Sequence, residues 1–499
     1  MAARDSAAIA GGTSEAVLVD RAGGAVARGA RRLLGGVYGR RVVVVCGKGN
    51  NGADGRVAGQ RLAGWGARVD RFDLAGIERP ALSRALGQAD LAIDAMFGTG
   101  FRGPLEGDAA FAASALTGAA CPVLAVDIPS GVDGLTGAVH GTAVEAVATV
   151  CLAALKPGLV LYPGAALAGD IEVADIGIDP RTPPPGLGVT EAADVAAWLP
   201  RRGPESHKWS VGGVYVVGGS QGMTGAVMLS SRAALRAGAG IVVAGLPGAA
   251  AARASGGEVI TRSLPATSSG ALDEDAAKEV LDGLDRFRAL IVGPGLGRAA
   301  PTVAAVRRLV AEAPVPLVLD ADGLNALDGD LDLLAGRPAA TVVTPHAGEY
   351  ARLAGEKVGE DRVAAARRLA ERAGAVVLLK GSRTVVADPT GRAAVNTTGG
   401  PWLATAGTGD VLSGVVGALA ALGLPAFRAA AAGAWLHGRA ADVWGLHLPP
   451  PRHGVSHAGL VAGDLIDALP AVLAGLAAAP GPAAGAAGRN RPNTPDRPQ

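Results

Sequence analysis

Short runs of Val, Ile and Leu alternate with Ala/Arg/Leu segments of helical period along almost the whole chain. RVVVVCG (41–47), ADLAIDAMFG (89–98), PVLAVDIPSG (122–131) and ATVCLA (148–153) are apolar at successive positions rather than at every second one. That flat pattern predicts parallel strands covered on both faces. GRVAGQRLAGWG (55–66) predicts an amphipathic helix closed by Gly66. The alternation breaks at DPRTPPPGLG (179–188), which reads as a semi-rigid linker. It restarts at VGGVYVVGGS (211–220) and continues through RALIVGPGLG (288–297), VPLVLDADGLNAL (315–327), AATVVTPHAGE (339–349) and AVVLLKGSRTVVADP (375–389). LATAGTGDVLSGVVGALAALG (403–423) reads as a glycine loop opening a long apolar helix. The pattern predicts two α/β domains, 1–182 and 183–475, and a disordered tail, 476–499. In such sheets ligands bind at the carboxyl ends of the strands.

Composition narrows this picture a little. Gly accounts for 76 of 499 residues, about twice the usual share, and aromatics are scarce, so the core must be built from Ala, Val and Leu. A formal charge of +1 gives no electrostatic case for nucleic acid or an anionic membrane. Cys46, Cys121 and Cys151 are too few for a disulfide framework and are expected as small buried hydrophobes. MAARDSAAIAGG lacks the apolar core of a secretory signal, and the uncharged stretches 411–427 and 468–488 are too short or broken by Pro to span a bilayer. A cytoplasmic protein with no membrane or nucleic-acid partner is expected.

GKGNNG, with Gly47, Gly49 and Gly52, fits G-x-G-x-x-G between a strand and a helix, and Asp70 and Asp73 follow at the distance of a ribose-binding acid. A dehydrogenase reading finds no catalytic acid or base to go with it. Asn50 and Asn51 instead set side-chain amides beside open backbone N–H groups, with Asp54 in the next turn. Asp94, Asp127 and Ser130 stand at the ends of the following strands. Such oxygens suit sugar hydroxyls and a hard cation; a single Asp at a strand end is more often a helix cap, but three beside glycine turns point towards a site.

KGNNGADG (48–55), DAMFGTGFRGP (94–104), DIPSGVDGLTG (127–137) and ALKPGLVLYPG (154–164) resemble the NAD(P)H-hydrate epimerase family over nearly all of residues 1–180. The resemblance implies a Rossmann-like three-layer domain. It places Asn50, Asn51, Gly52, Ala53, Asp54, Gly98, Thr99, Gly100, Phe101, Arg102, Gly103, Pro104 and Asp127 on the hydrated nucleotide, with Asp127 catalytic. It also implies a potassium ion held by Asn51, Asp94 and Ser130. The family usually carries NNGGD, and Ala53 replaces its second Gly, which requires a negative φ there.

In the second half, Gly407, Thr408 and Gly409 precede an apolar helix, a ready anion site. Asp410 in its first turn suits a base acting on a hydroxyl that attacks a phosphoryl group. Lys380 could face a phosphate; Asp320 and Asp322 fit either binding or capping; His346 fits a hydrogen-bonded loop residue or a substrate contact. His447, His453 and His457 lie among three prolines without helical register and do not read as metal ligands. No G-x-x-x-x-G-K-[ST] motif occurs.

SHKWSVGGVYVVGGS (206–220), GMTGAVMLSSRAALRAGAGIV (222–242), GPGLG, LDADGLNAL, TPHAGEY, LLKG and GTGDVLSG together resemble the ADP-dependent NAD(P)H-hydrate dehydratase family. The resemblance implies a ribokinase-like α/β domain with Ala226, Gly297, His346 and Asp410 on the substrate. It assigns Lys380, Gly381, Ser382, Arg383, Thr384 and Gly409 to the nucleotide, with Asp410 catalytic, Mg²⁺ as cofactor and ADP as co-substrate. Trp209 stands where the family commonly has Gly, a change expected at the lip of the pocket. The joint expectation is a homo-oligomeric enzyme that epimerises the R and S hydrates NADHX and NADPHX and dehydrates the S form. The alternative is a ribokinase-like small-molecule kinase with a nucleotide-sensing first domain.

Overall fold

The computed structural model describes residues 2–179, 186–254, 257–446 and 459–478. The first domain holds six strands, β1 Arg41–Cys46, β2 Arg68–Asp73, β3 Leu91–Ala95, β4 Val123–Val126, β5 Ala148–Leu152 and β6 Asp170–Ala174. They form one parallel sheet in the order β2-β1-β3-β4-β5-β6. Successive strand residues face opposite layers. Val42, Val44, Leu91 and Ile93 join helices Glu15–Leu34 and Asn50–Gly64 in one core, while Val43, Val45 and Ala92 join helices Arg79–Leu86 and Gly107–Thr117 in another. Two covered faces account for the flat hydrophobicity of these strands.

The second sheet has ten strands: β7 Leu187–Val189, β8 Gly213–Val217, β9 Ile241–Pro247, β10 Ile260–Leu264, β11 Ala289–Val292, β12 Leu317–Leu319, β13 Thr341–Val343, β14 Val376–Leu379, β15 Val385–Ala387 and β16 Ala393–Val395. Their order is β10-β9-β8-β11-β12-β13-β14-β15-β16-β7, parallel except for the antiparallel pairs β14/β15 and β15/β16. Helices cover both faces here too. Both expected α/β domains are present, and no helix among the described residues is long and apolar enough to cross a membrane.

Local details depart from the sequence pattern. Residues 375–389 form a hairpin, because LLKGSRT turns the chain back between β14 and β15. The end of the 179–188 linker already belongs to β7, which is aligned by β16 rather than by its own composition. The helix expected over 55–66 begins at Asn50, five residues before the amphipathic stretch, so the asparagines lie on its first turn. Helix Ala462–Ala478 extends past residue 476; the rest of the expected tail, and His447, His453 and His457, lie outside the described residues. The three cysteines are unpaired, Cys46 and Cys151 buried and Cys121 partly so.

The apolar helix Thr408–Ala421 packs on helix Thr224–Arg236 so closely that a Cβ at Gly414 would lie 2.0 Å from the Ser230 carbonyl oxygen. Gly414→Ala is therefore expected to destabilise the chain by about 1–3 kcal/mol, read as a lower midpoint in thermal melting. An unchanged midpoint would contradict this packing.

Two candidate active sites

At the carboxyl ends of β1, β3, β4 and β5 lies a cavity of about 1030 Å³. It opens beside β1, where the strand order reverses, the place open α/β sheets offer to ligands. The turn out of β1 must run against the β3 loop, since a Cβ at Gly47 would sit 1.9 Å from the Met96 carbonyl oxygen. Asn50, Asn51, Asp54, Gly98, Thr99, Gly100, Phe101, Arg102 and Asp127 all line the cavity. Gly52, Ala53, Gly103 and Pro104 are not on its wall. Ala53 is helical with an ordinary negative φ, so its methyl is accommodated. Asp73 pairs with Arg56 and Arg71 on the edge strand, and neither it nor Asp70 reaches the cavity.

The floor holds a residue that sequence reasoning assigned no role. Lys156, only 4% exposed, donates to Asp127 and to the Leu152 carbonyl. Its signal was a lone cation just after an uninterrupted apolar strand. Asp127 also accepts from the Leu152 backbone N–H at 3.0 Å and is held at φ 66°, a left-handed conformation rare outside glycine. Asp54 faces this pair. Burial, reinforced by the Asp127 charge, pushes its carboxyl up to about 8 despite Lys156, so it carries a proton at neutral pH.

The three expected potassium ligands fall in one network. Asp94, fully buried, accepts from the Ser130 N–H and hydroxyl at 2.7 Å each; Ser130 Oγ accepts from Phe97 N at 3.0 Å; Asn51 Nδ2 donates to Phe97 O at 2.9 Å. Burial raises Asp94 to about 6, with hydrogen bonds from Ser130 and Met96 opposing it and no cationic side chain among the described residues. A buried carboxylate without a counter-cation, among amide and hydroxyl oxygens, fits a hard monovalent ion.

The second cavity, about 530 Å³, lies beside the amino terminus of helix Thr408–Ala421. Lys380, Gly381, Ser382, Arg383, Thr384 and Gly409 all line it. Lys380 Nζ lies 2.8 Å from Asp320 and 3.6 Å from Glu349. Burial works against its charge, but Asp320 and Glu349 hold it above its ordinary value. Asp320, 1% exposed, also accepts from Ser413; Lys380 and these hydrogen bonds outweigh burial and keep its carboxyl below the usual range. Asp410 is left over. Burial first, then Asp320, pushes it up to about 6, and it accepts no hydrogen bond from the described residues.

Ala226, Gly297, His346 and Asp410 are not on the wall of this cavity. Ala226 packs under Gly295, Gly297 N donates to Asp322 at 2.9 Å, and Asp410 interacts with Lys380. His346 caps helix Ala347–Ala354 through Gly348 N and Glu349 N, and its own N–H donates to Glu349. Trp209 corrects an expectation: it packs edge-on against Phe287, ring centres 5.5 Å apart, at the amino-terminal end of β8, away from the pocket lip. His437, with no local sequence signal, lines the cavity; burial lowers it to about 4, and its Nε2 meets Thr408 O at 2.9 Å.

Residues 214–448 match the family described as NAD(P)H-hydrate dehydratase, and residues 15–86 and 76–158 match the YjeF-related protein N-terminus. The bifunctional NAD(P)H-hydrate repair enzyme of Moorella thermoacetica is 42% identical over 92% of each chain. The chain belongs to this family of bifunctional repair enzymes. The Escherichia coli member is 34% identical, covering 86% of this chain and 84% of its own. A crystal structure of the ADP/ATP-dependent NAD(P)H-hydrate dehydratase from Bacillus subtilis, co-crystallised with ATP and Mg²⁺, matches 58% of this chain and 98% of its own at 30% identity and TM-score 0.48. The family's two domains thus coincide with the two sites.

The raised Asp54 has a consequence for stability. Its folded-state value, about 8, exceeds the ordinary 3.8, so between these pH values the folded chain binds more protons than the unfolded chain and loses stability as pH rises. In denaturant titrations, Asp54→Asn should gain on the wild type steadily across that window. A difference independent of pH would contradict the assignment.

Proposed function

We propose that the first site interconverts the R and S hydrates of NADH and NADPH, and that the second dehydrates the S hydrate using ADP, releasing AMP and phosphate. The observation that carries this reading is that one chain holds both family domains, each with its own cavity and its own acid–base carboxylate. Fusion fits the chemistry, because a dehydratase selective for one epimer leaves the other behind unless the two interconvert.

At the first site, protonated Asp54 would donate to the departing oxygen of the hydrate, which leaves as water, and Asp127, hydrogen-bonded by Lys156, would accept a proton from that water as it returns. Return of the oxygen to either face of the ring gives both epimers. Asn51, Asp94 and Ser130 would hold K⁺, which supplies positive charge that orders the loops around the substrate.

At the second site, hydroxide is a poor leaving group and phosphate a good one. Asp410 takes the proton of the substrate hydroxyl as its oxygen bonds to the terminal phosphorus of ADP and the bond to AMP breaks. Phosphate then departs with the C–O electron pair, and loss of a ring proton restores the double bond. Lys380 and the amides at the start of helix Thr408–Ala421 face the phosphoryl charge. Asp320 and Glu349 are taken up by Lys380, and no cluster of three acidic, His or Cys side chains that could hold a metal occurs among the described residues, so Mg²⁺ would be carried by the phosphates of the nucleotide, whose charge it would neutralise.

Chromatographic separation of the two epimers allows each step to be followed alone. Asp410→Asn should slow dehydration by about 10²–10⁴-fold and leave epimer exchange intact, and Asp127→Asn should do the reverse. Loss of both activities in either variant would overturn the division of labour. Since Asp410 acts unprotonated, the dehydration rate should fall as pH drops below about 6. A stable phosphorylated product would favour a ribokinase-like kinase instead.

A further inference from the structure

We propose that Tyr162, a residue of the first domain, is the surface on which the purine base of the nucleotide stacks in the second domain's cavity. This rests on the reading of that cavity as a nucleotide site.

Tyr162 sits between the short helices Pro157–Val160 and Gly164–Leu167, far along the chain from the rest of the cavity wall. Its neighbours Val160 and Leu161 are buried in a hydrophobic core of the second domain, and His140 Nε2 meets Glu360 Oε2 at 3.5 Å across the same boundary. The segment is thereby fixed against the second domain, with the tyrosine ring half-exposed on the cavity wall. The Arg383 guanidinium lies 5.3 Å from the ring centre, over its face. Arg383 is itself held by a bond to the Thr397 carbonyl and by a left-handed backbone, φ 66°.

The wall is polarised. Lys380, Gly409 and the helix amino terminus at Thr408 supply positive charge and open N–H groups suited to phosphates. Elsewhere Leu403, Ala404 and Leu412 supply apolar surface. In a chain with only 6 Phe, 4 Tyr and 6 Trp, Tyr162 is the one such ring on this wall among the described residues. A purine gains stacking energy on a flat π-surface, which aliphatic side chains do not give, and an arginine over an aromatic ring adds a cation that favours the same partner. Tyr162 also follows Lys156 by six residues, so one segment of the first domain contributes to both sites.

Calorimetric titration of the full chain with ADP and with ribose 5-diphosphate, which lacks the base, tests this. Tyr162→Ala should weaken ADP about 10- to 100-fold while ribose 5-diphosphate changes by less than about twofold, and Tyr162→Phe should bind ADP like the wild type. In turnover the alanine variant should raise KM for ADP with little change in kcat. Equal loss of both probes, or no loss of ADP, would overturn the stacking role. Wild-type protein that binds neither probe would overturn the nucleotide reading itself, and the proposal with it.

Discussion

Each domain is organised around a lysine facing a buried aspartate at the carboxyl ends of parallel strands: buried Lys156 with Asp127, and part-buried Lys380 with Asp320. Burying such charges is costly, and hydrophobic residues of the same volume would serve stability as well or better. Beside each pair stands a second carboxylate whose pKa is raised. That second group is Asp54 in the first domain, at about 8, and Asp410 in the second, at about 6. One therefore carries a proton at neutral pH and the other does not, which suits an acid in the first reaction and a base in the second.

The central strands offset this cost by burying apolar residues on both faces. Alternate strand residues enter two apolar layers, and the polar groups gather where the strands end and the chain turns. Strain gathers there too: of the five non-glycine residues with positive φ among the described residues, Asp127, Ala153, Ala321 and Arg383 lie in the loops around the two sites. Conformations of this kind persist only where the surrounding packing imposes them. Tyr162 extends the same logic across the domain boundary, since its position follows from Val160 and Leu161 packing into the second core.

The fold was readable where a single segment carries the information. RVVVVC announces a doubly covered strand, and GTGD before an apolar helix announces an anion-binding turn. Strands β7 and β16 are three residues each and are defined by pairing, β7 with β16 and β16 with β15 as well, which local pattern does not reveal. The sites divided the same way. Asn50, Asn51, Asp94, Asp127 and Asp410 stand in motifs, whereas the lysines find their aspartates 29 and 60 residues away. The role of Lys156, the pairing of Asp320 and the burial of His437 are products of tertiary packing. Trp209 misled because its place in the motif suggested the pocket, while the chain sets it against Phe287 at the opposite end of β8.

The central claim is that two chemically distinct sites in one chain act in sequence on one pool of substrate. The most direct measurement is the return of reduced-nicotinamide absorbance from a mixture of R and S NADH hydrate, with K⁺, Mg²⁺ and ADP present. The account predicts recovery of essentially all the hydrate at the enzymatic rate, with one AMP formed per hydrate consumed. Recovery that halts once the S fraction is spent would contradict it.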